Sequence, residues 1–374
     1  MERMFLTLKL SPSSLIARSN TLFDNNFMAL TQEEQTDILI IGGGPGGLAC
    51  ARMLAENGKQ VLLIERKPAI GPKVCAGGIT WSGLLQHVPD TLIEKSFPVQ
   101  HIYTRQQHVL VAEKQPVVAT VNREKTGQWM AAKAQEAGVK IFTDTHALKI
   151  KNRQVVVRQG TEIKNIEYKQ LVGADGANSL VRRYLNLKNT LSGVGLNCIL
   201  PIQRDNMEWH LLPHLFHYGY AWIFPHKENI SIGAYAPKTA ISTKQLKQNL
   251  IIWARSRGIT VPADQIRAGI INFDYQGYAF GNSWLVGEAA GLASGLTGEG
   301  IYPAIVSGQV VAQKILDPNY PAHELARMVK KQQRHHKIIH YAQRAPALCS
   351  LLMNLLVLLL RVKILDFRML EMAD

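Results

Sequence analysis

The sequence predicts an α/β fold (α+β overall). A parallel-sheet, nucleotide-binding unit is interleaved with an antiparallel-sheet unit, and a helical segment follows. Three observations carry this. A strand, glycine loop, helix and second strand succeed one another between Thr36 and Lys67. Two further glycine-rich turns follow short apolar strands far downstream, at Gly173–Gly176 and at Gly287–Gly300. Between them, Tyr220 to Tyr235 reads as two alternating strands joined at His226 to Asn229.

Ile38 to Ile41 is an unbroken apolar run, as expected of a parallel strand covered on both faces. Gly42, Gly44 and Gly47 form G-x-G-x-x-G. The first permits a tight turn, the second lets backbone approach a pyrophosphate, and the third lets helix and strand pack closely. Leu48 to Asn57 reads as a helix ended by Gly58, and its N-terminus offers unpaired N–H groups to phosphate. Val61 to Ile64 is a second buried strand, and Glu65 closes it where an acid bonds ribose hydroxyls. A carboxylate there disfavours a ribose phosphate, leaving NAD or FAD. Taken alone the glycines read equally as a structural turn; the ordered context favours the nucleotide.

The chain has 374 residues, 47% hydrophobic and 19% charged, which excludes a disordered class. Cys50, Cys75, Cys198 and Cys349 are far apart with no CxxC, so neither a disulfide framework nor a structural zinc site is expected. A reducing, cytoplasmic setting follows from that usage. The net charge of +14 favours anionic partners. No nucleic-acid motif accompanies it. No Ser-His-Asp set, HExxH or paired carboxylate points to hydrolysis.

Two later stretches extend the nucleotide site. "LVGADGANSLVRR" (Leu171 to Arg183) runs from a strand through Asp175-Gly176 into a helix start that Asn178 or Ser179 can cap. "SWLVGEAAGLASGLTGEGIYPAIVSGQVVAQKIL" (Ser283 to Leu316) is a strand, a glycine-rich loop and a helix from Gly300. With GxGxxG, the GADG turn and the late Gly287-Glu288, the chain resembles the FAD-dependent oxidoreductases of the para-hydroxybenzoate-hydroxylase fold. Within them it resembles the geranylgeranyl reductase family. "PKVCAGGI" (Pro72 to Ile79), "YAWIFP" (Tyr220 to Pro225) and "LTGEGI" (Leu296 to Ile301) carry that match.

The resemblance implies a Rossmann-like FAD-binding domain over 36–90, 115–185 and 275–320, and a substrate domain over 91–114 and 186–274. It implies FAD contacts at Pro45 and Gly46 beside the three fingerprint glycines, and at Arg66 beside Glu65. Lys73, Ala76 and Gly77 of the cysteine loop, Arg123 and Asp175 are implied likewise. So are Gly287, Glu288, Gly298, Glu299, Gly300 and Ile301 near the flavin. Glu288 stands where relatives carry Asp, and the Arg123 stretch "REKTGQWM" departs from the family's Arg-x-x-Phe-Asp-x-x-Leu. A helix N-terminus after Gly298 and Gly300 suits the anionic reduced flavin. Glu299 reads either as a first-turn helix acid or as a residue lining the site.

The implied reaction is reduction of polyprenyl or isoprenoid double bonds, with Cys75, Tyr220 and Trp222 as catalytic residues. Alternation places Tyr220, Trp222 and Phe224 on one face, which reads as an aromatic substrate wall or as plain sandwich core. The reductant is NAD(P)H or another donor such as ferredoxin or quinol. The same fold also serves FAD-dependent monooxygenases and flavoprotein electron carriers, which remain alternatives.

The two ends stand apart. Residues 1–27 are Ser-bearing and poor in acids, reading either as a transit peptide or as a disordered extension before Met28; the extension is drawn over 1–35. In 321–374, the basic stretch Lys330 to Arg344 precedes a Leu-rich run too short to span a bilayer. It reads as a peripheral attachment to an anionic membrane surface, or as a helix buried on the substrate domain. The His335, His336 and His340 cluster lacks an acid partner, and no metal is expected. Oligomeric state is open.

Overall fold

A computed structural model describes residues 30–85 and 87–373. The targeting and extension readings of residues 1–27 lie outside the described residues.

The parallel sheet is built around Glu33–Ile41, which pairs in parallel with Val61–Ile64 on one side and Glu162–Gly173 on the other. Lys140–Phe142 extends it beyond Val61–Ile64, and Ser283–Leu285 beyond Glu162–Gly173. Leu39 and Ile41 enter one core and Ile38 and Ile40 the other, so the apolar run is buried on both faces. The central strand starts at Glu33, inside the segment drawn as extension. The reason is its neighbour: Glu162–Gly173 is long, and Glu33, Glu34 and Gln35 pair with Asn165, Ile166 and Glu167.

Two helices bring their N-termini to this sheet's C-terminal edge. Pro45–Glu56 begins three residues before the expected Leu48, inside its glycine loop, at a proline suited to the first turn. It packs on Ile301–Leu316 with almost no side chain between. A Cβ on Gly308 would lie 2.2 Å from the Gly46 carbonyl oxygen, and one on Gly46 2.8 Å from that of Ala304. Gly42, at φ +111°, makes the turn between strand and helix, and a Cβ there would strike the Ala174 carbonyl at 2.4 Å.

The second sheet runs in the order Arg267–Asn272, Ser192–Leu200, Ile230–Pro237, Tyr220–Pro225, Met207–His210, Val99–Tyr103, His108–Ala112. Its Tyr220–Pro225 and Ile230–Pro237 hairpin has Trp222 opposite Gly233. A small antiparallel sheet, not foreseen from sequence, joins the two large ones: Gly78–Thr80, Val118–Val121 and Ile93–Phe97. Thr120 donates to the Pro225 carbonyl across that join at 2.8 Å. The glycine-rich cysteine stretch therefore enters a strand.

His323–Arg344 and Pro346–Arg361 complete the chain. The latter docks one face: Val357 and Leu360 are buried with the aromatic core, and Asn354 accepts from Thr104 at 2.7 Å. The opposite face is open to solvent, with Leu348, Leu351, Leu355 and Leu358 exposed.

Candidate active site

One cavity of about 950 Å³ runs from the nucleotide loops to the second sheet. Nearly every residue expected at the site lines it. Gly42, Gly44, Pro45 and Gly46 do so, with Glu65 and Arg66, and Lys73, Cys75 and Ala76 of the cysteine loop. Arg123, Asp175, Tyr220 and Trp222 join them, and so do Gly287, Glu288 and the Gly298–Ile301 turn. Two expected contacts are placed elsewhere. A Cβ at Gly47 would lie 2.1 Å from the Gly42 oxygen, so this glycine serves the turn itself. Gly77, at φ +79°, backs onto His226 and the Val121 carbonyl.

The nucleotide end carries polar groups that the protein leaves unmatched. Glu65 accepts from the Gly43 and Lys67 backbone N–H groups at 2.8 and 3.0 Å, which aims its carboxylate along the glycine loop. Arg123 begins a helix capped by Asn122, whose Oδ1 accepts from Glu124 and Lys125. Its Nε and Nη1 are buried without a partner. Asp175 Oδ2 accepts from Leu180 N at 2.6 Å while Oδ1 is buried and unmatched; burial raises its carboxyl. Ser179, as expected, caps the short helix after it. Glu288 pairs through Oε1 with Lys73 at 2.8 Å, and its Oε2 is unmatched.

Buried groups in native proteins are almost always hydrogen-bonded. One cationic donor and two carboxylate acceptors unmatched at this end of the cavity fit a ligand with anionic phosphate and several hydroxyls. A Cβ on Gly44 or Gly300 would meet nothing closer than 3.6 Å, so backbone faces the cavity there. FAD has these features, and the helix N-termini at Pro45 and Ile301 line the same cavity.

The flavin-side turn is held from behind. Ser294 Oγ accepts from Leu296 N and Thr297 N and meets His335 Nδ1 at 2.9 Å. Burial lowers His335 to about 4, so it is a neutral acceptor for the Ser294 hydroxyl. His335 is thus a buried brace, whereas His340 is exposed. Glu299 lines the cavity, accepts from Thr80 Oγ1 and Met372 N, and is pushed up to about 7 by burial.

At the other end, Tyr220, Trp222 and Phe224 form the expected wall, with ring centroids 5.9 and 6.0 Å apart. Their polar atoms are committed. Tyr220 donates to the Thr297 carbonyl, and Trp222 Nε1 to Ser231 Oγ at 3.0 Å. Burial, with Cys75 and Glu299 nearby, pushes the Tyr220 hydroxyl well up, so it stays protonated. Both polar atoms are thus turned to protein partners.

Several lining residues escaped the sequence reading. Trp209 packs edge-on against Phe224 at 4.7 Å, from a strand of four residues too short to show a pattern. Leu356, Leu360, Phe367, Leu370 and Glu371 close the cavity from the C-terminal segment. Glu371 accepts from Ser82 Oγ at 3.0 Å through Oε2, its Oε1 is buried and unmatched, and burial pushes it up to about 7. A lone Glu among Phe367, Met369, Leu370 and Met372 gives no sequence signal for this.

Comparison with known proteins agrees with this geometry. A family model described as an FAD binding domain matches residues 35–316. The chain is 30% identical to digeranylgeranylglycerophospholipid reductase 2 of Methanosphaera stadtmanae over 332 residues, 80% of this chain and 84% of that one. It is 28% identical to the digeranylgeranylglycerophospholipid reductase of Thermoplasma acidophilum, over 75% of this chain and 78% of that one. The crystal structure of a geranylgeranyl bacteriochlorophyll reductase-like protein from the same organism superimposes with a TM-score of 0.71, at 23% identity over 88% of this chain and 92% of that one. The chain is an FAD-dependent oxidoreductase and belongs to the geranylgeranyl reductase family.

Proposed function

We propose that the protein saturates carbon–carbon double bonds of a polyprenyl lipid or isoprenoid while resting on a membrane surface. The observation that carries this is the make-up of the one cavity: polar, glycine-rich loops at one end pass without a break into an aromatic and aliphatic wall. The curated relatives named above are reductases of a geranylgeranyl lipid.

FAD, once reduced, supplies hydride at its ring. The chain's own residues do the rest. Arg123 and the helix N-termini at Pro45 and Ile301 hold negative charge, and Glu65, Asp175 and Glu288 accept hydrogen bonds from hydroxyls. Trp209, Tyr220, Trp222 and Phe224 keep water from an unactivated alkene and align it. A proton must reach the second carbon. Cys75 Sγ lines the cavity as a candidate source, and Glu299 and Glu371 hold protons near neutral pH because burial disfavours their carboxylates.

The membrane reading rests on the helix Pro346–Arg361. One face lines the cavity through Leu352, Leu356 and Leu360, and the other exposes Leu348, Leu351, Leu355 and Leu358. Arg344, Arg361, Lys363 and Arg368 are exposed around that face and complement anionic headgroups. No helix among the described residues is long and apolar enough to cross a membrane. A helix seated in the headgroup layer would pass a polyprenyl chain from bilayer to cavity.

Mass spectrometry of lipids that copurify with the protein, followed by anaerobic turnover with chemically reduced enzyme, tests the reading. A prenyl lipid gaining two hydrogens per bond supports it. Product that forms only with oxygen overturns it in favour of a monooxygenase.

A further inference from the structure

The cysteine loop and the aromatic wall are separate motifs in the sequence, yet a buried chain of hydrogen bonds joins them. Trp222 Nε1 donates to Ser231 Oγ at 3.0 Å. Ser231 donates to Asn197 Oδ1 at 2.6 Å, and Asn197 Nδ2 donates to the Cys75 carbonyl at 3.1 Å. Trp222, Ser231 and Asn197 are all buried. The next carbonyl in the loop is held too. His226 Nε2 lies 3.0 Å from the Ala76 oxygen, and Nδ1 lies 2.5 Å from Glu94 Oε2. A carbonyl oxygen can only accept, so Nε2 carries a proton, and Glu94 fixes the ring from its far side.

Two successive carbonyls, Cys75 and Ala76, are thus pinned to one sheet, by Asn197 from a strand and by His226 from the turn of the neighbouring hairpin. The Gly77 carbonyl then accepts from Val121 N at 2.9 Å. Beside these pins the Cys75 side chain has little of its own: Sγ accepts from Gly77 N at 3.4 Å and is half-buried at the cavity. The loop carries no regular structure before Gly78, so its place is set by what holds its backbone. A Cβ at Gly77 would lie 2.5 Å from His226 Cε1, which leaves the ring no slack.

We propose that Asn197 and His226 are positioning residues that set where the Cys75 thiol is presented in the cavity, and that the Asn197–Ser231–Trp222 chain ties that placement to the substrate wall. The inference rests on the reductase reading only for its consequence in turnover; the placement itself is testable without it. Misplacement of a reacting group by about 1 Å can cost on the order of a hundredfold.

The full-length protein, with and without FAD, is treated with iodoacetamide, and modification of each cysteine is timed by peptide mass spectrometry. Cys50, Cys198 and Cys349 are buried and serve as references for general loosening. In Asn197→Asp, which keeps the shape but turns an oxygen toward the Cys75 carbonyl, the Cys75 rate changes about tenfold or more while the reference cysteines stay protected. His226→Leu does the same, and His226→Gln, whose amide reaches the Ala76 carbonyl, returns toward the wild-type rate. If the buried carboxylate of Asn197→Asp unfolds the chain, Asn197→Leu replaces it with the same expectation.

Folded variants whose Cys75 rate stays within about twofold of wild type overturn the proposal. Equal loosening of all four cysteines overturns it as well, because that is a structural effect. In turnover with a prenyl lipid, the same variants lower kcat with little change in KM. A wild type that reduces no prenyl lipid ends the reductase reading, while the alkylation rates still decide the clamp.

Discussion

Removing the titratable oxygen of Glu371 should flatten the pH dependence of stability in a direction opposite to that of most carboxylates. Glu371 is 4% exposed, with one oxygen bonded to Ser82 and the other unmatched. Burial raises its carboxyl from 4.5 to about 7, and the neighbouring Glu299 adds to this. The folded chain therefore holds a proton that the unfolded chain releases. That contribution is fully present below about pH 4.5 and is lost as pH rises through about 7. At about 1.4 kcal/mol per pH unit, it amounts to roughly 3 kcal/mol at most above neutrality. In Glu371→Gln the retained carbonyl still accepts from Ser82, and no ionisation is possible. Urea midpoints of the FAD-free protein, followed from about pH 5 to about pH 8, read the difference. The wild type should lose stability across that range, and the variant should lose less, by up to about 3 kcal/mol at the upper end. Parallel curves for the two proteins would refute the reasoning, since they would place the Glu371 carboxyl in water.

Four further outcomes are expected. Cys75→Ser retains the FAD absorbance and loses most reductase turnover; unchanged turnover returns Cys75 to a structural role. Gly308→Ala, whose methyl would lie 2.2 Å from the Gly46 oxygen, destabilises by about 1–3 kcal/mol in denaturant titration by forcing two helices apart. Arg123→Met, which removes the unmatched buried guanidinium, weakens FAD retention on gel filtration while the apo-protein's melting temperature holds or rises. Leu351→Glu with Leu355→Glu, both exposed in this structure, leaves folding unchanged and lowers cosedimentation with anionic vesicles; undiminished binding would locate the membrane contact elsewhere.

The nucleotide site was largely legible because its parts are local. A tight turn, a helix N-terminus and an acid at a strand end each depend on residues near in sequence, and Val61–Ile64 falls where the apolar run places it. The hairpin was legible for the same reason: Tyr220–Pro225 and Ile230–Pro237 share a short turn. Trp209 and Glu371 were not, since neither lies in a patterned run and each reaches the cavity only because other strands and helices carry it there. The contact of His335 with Ser294 was not legible either, because only the fold brings that helix against the glycine-rich turn.

The strand, glycine turn, helix and strand-end acid of the nucleotide site follow from short-range geometry, while the choice of FAD and the reading of Tyr220, Trp222 and Phe224 as a wall come from the resemblance to a known family. Folding adds the long-range bonds. It decides that the Leu-rich helix both docks and leaves a face bare, because Asn354 finds Thr104 on a distant hairpin. It decides that Cys75 is held by Asn197 and His226, residues more than a hundred positions away, since a loop without regular structure takes its place from whatever satisfies its carbonyls.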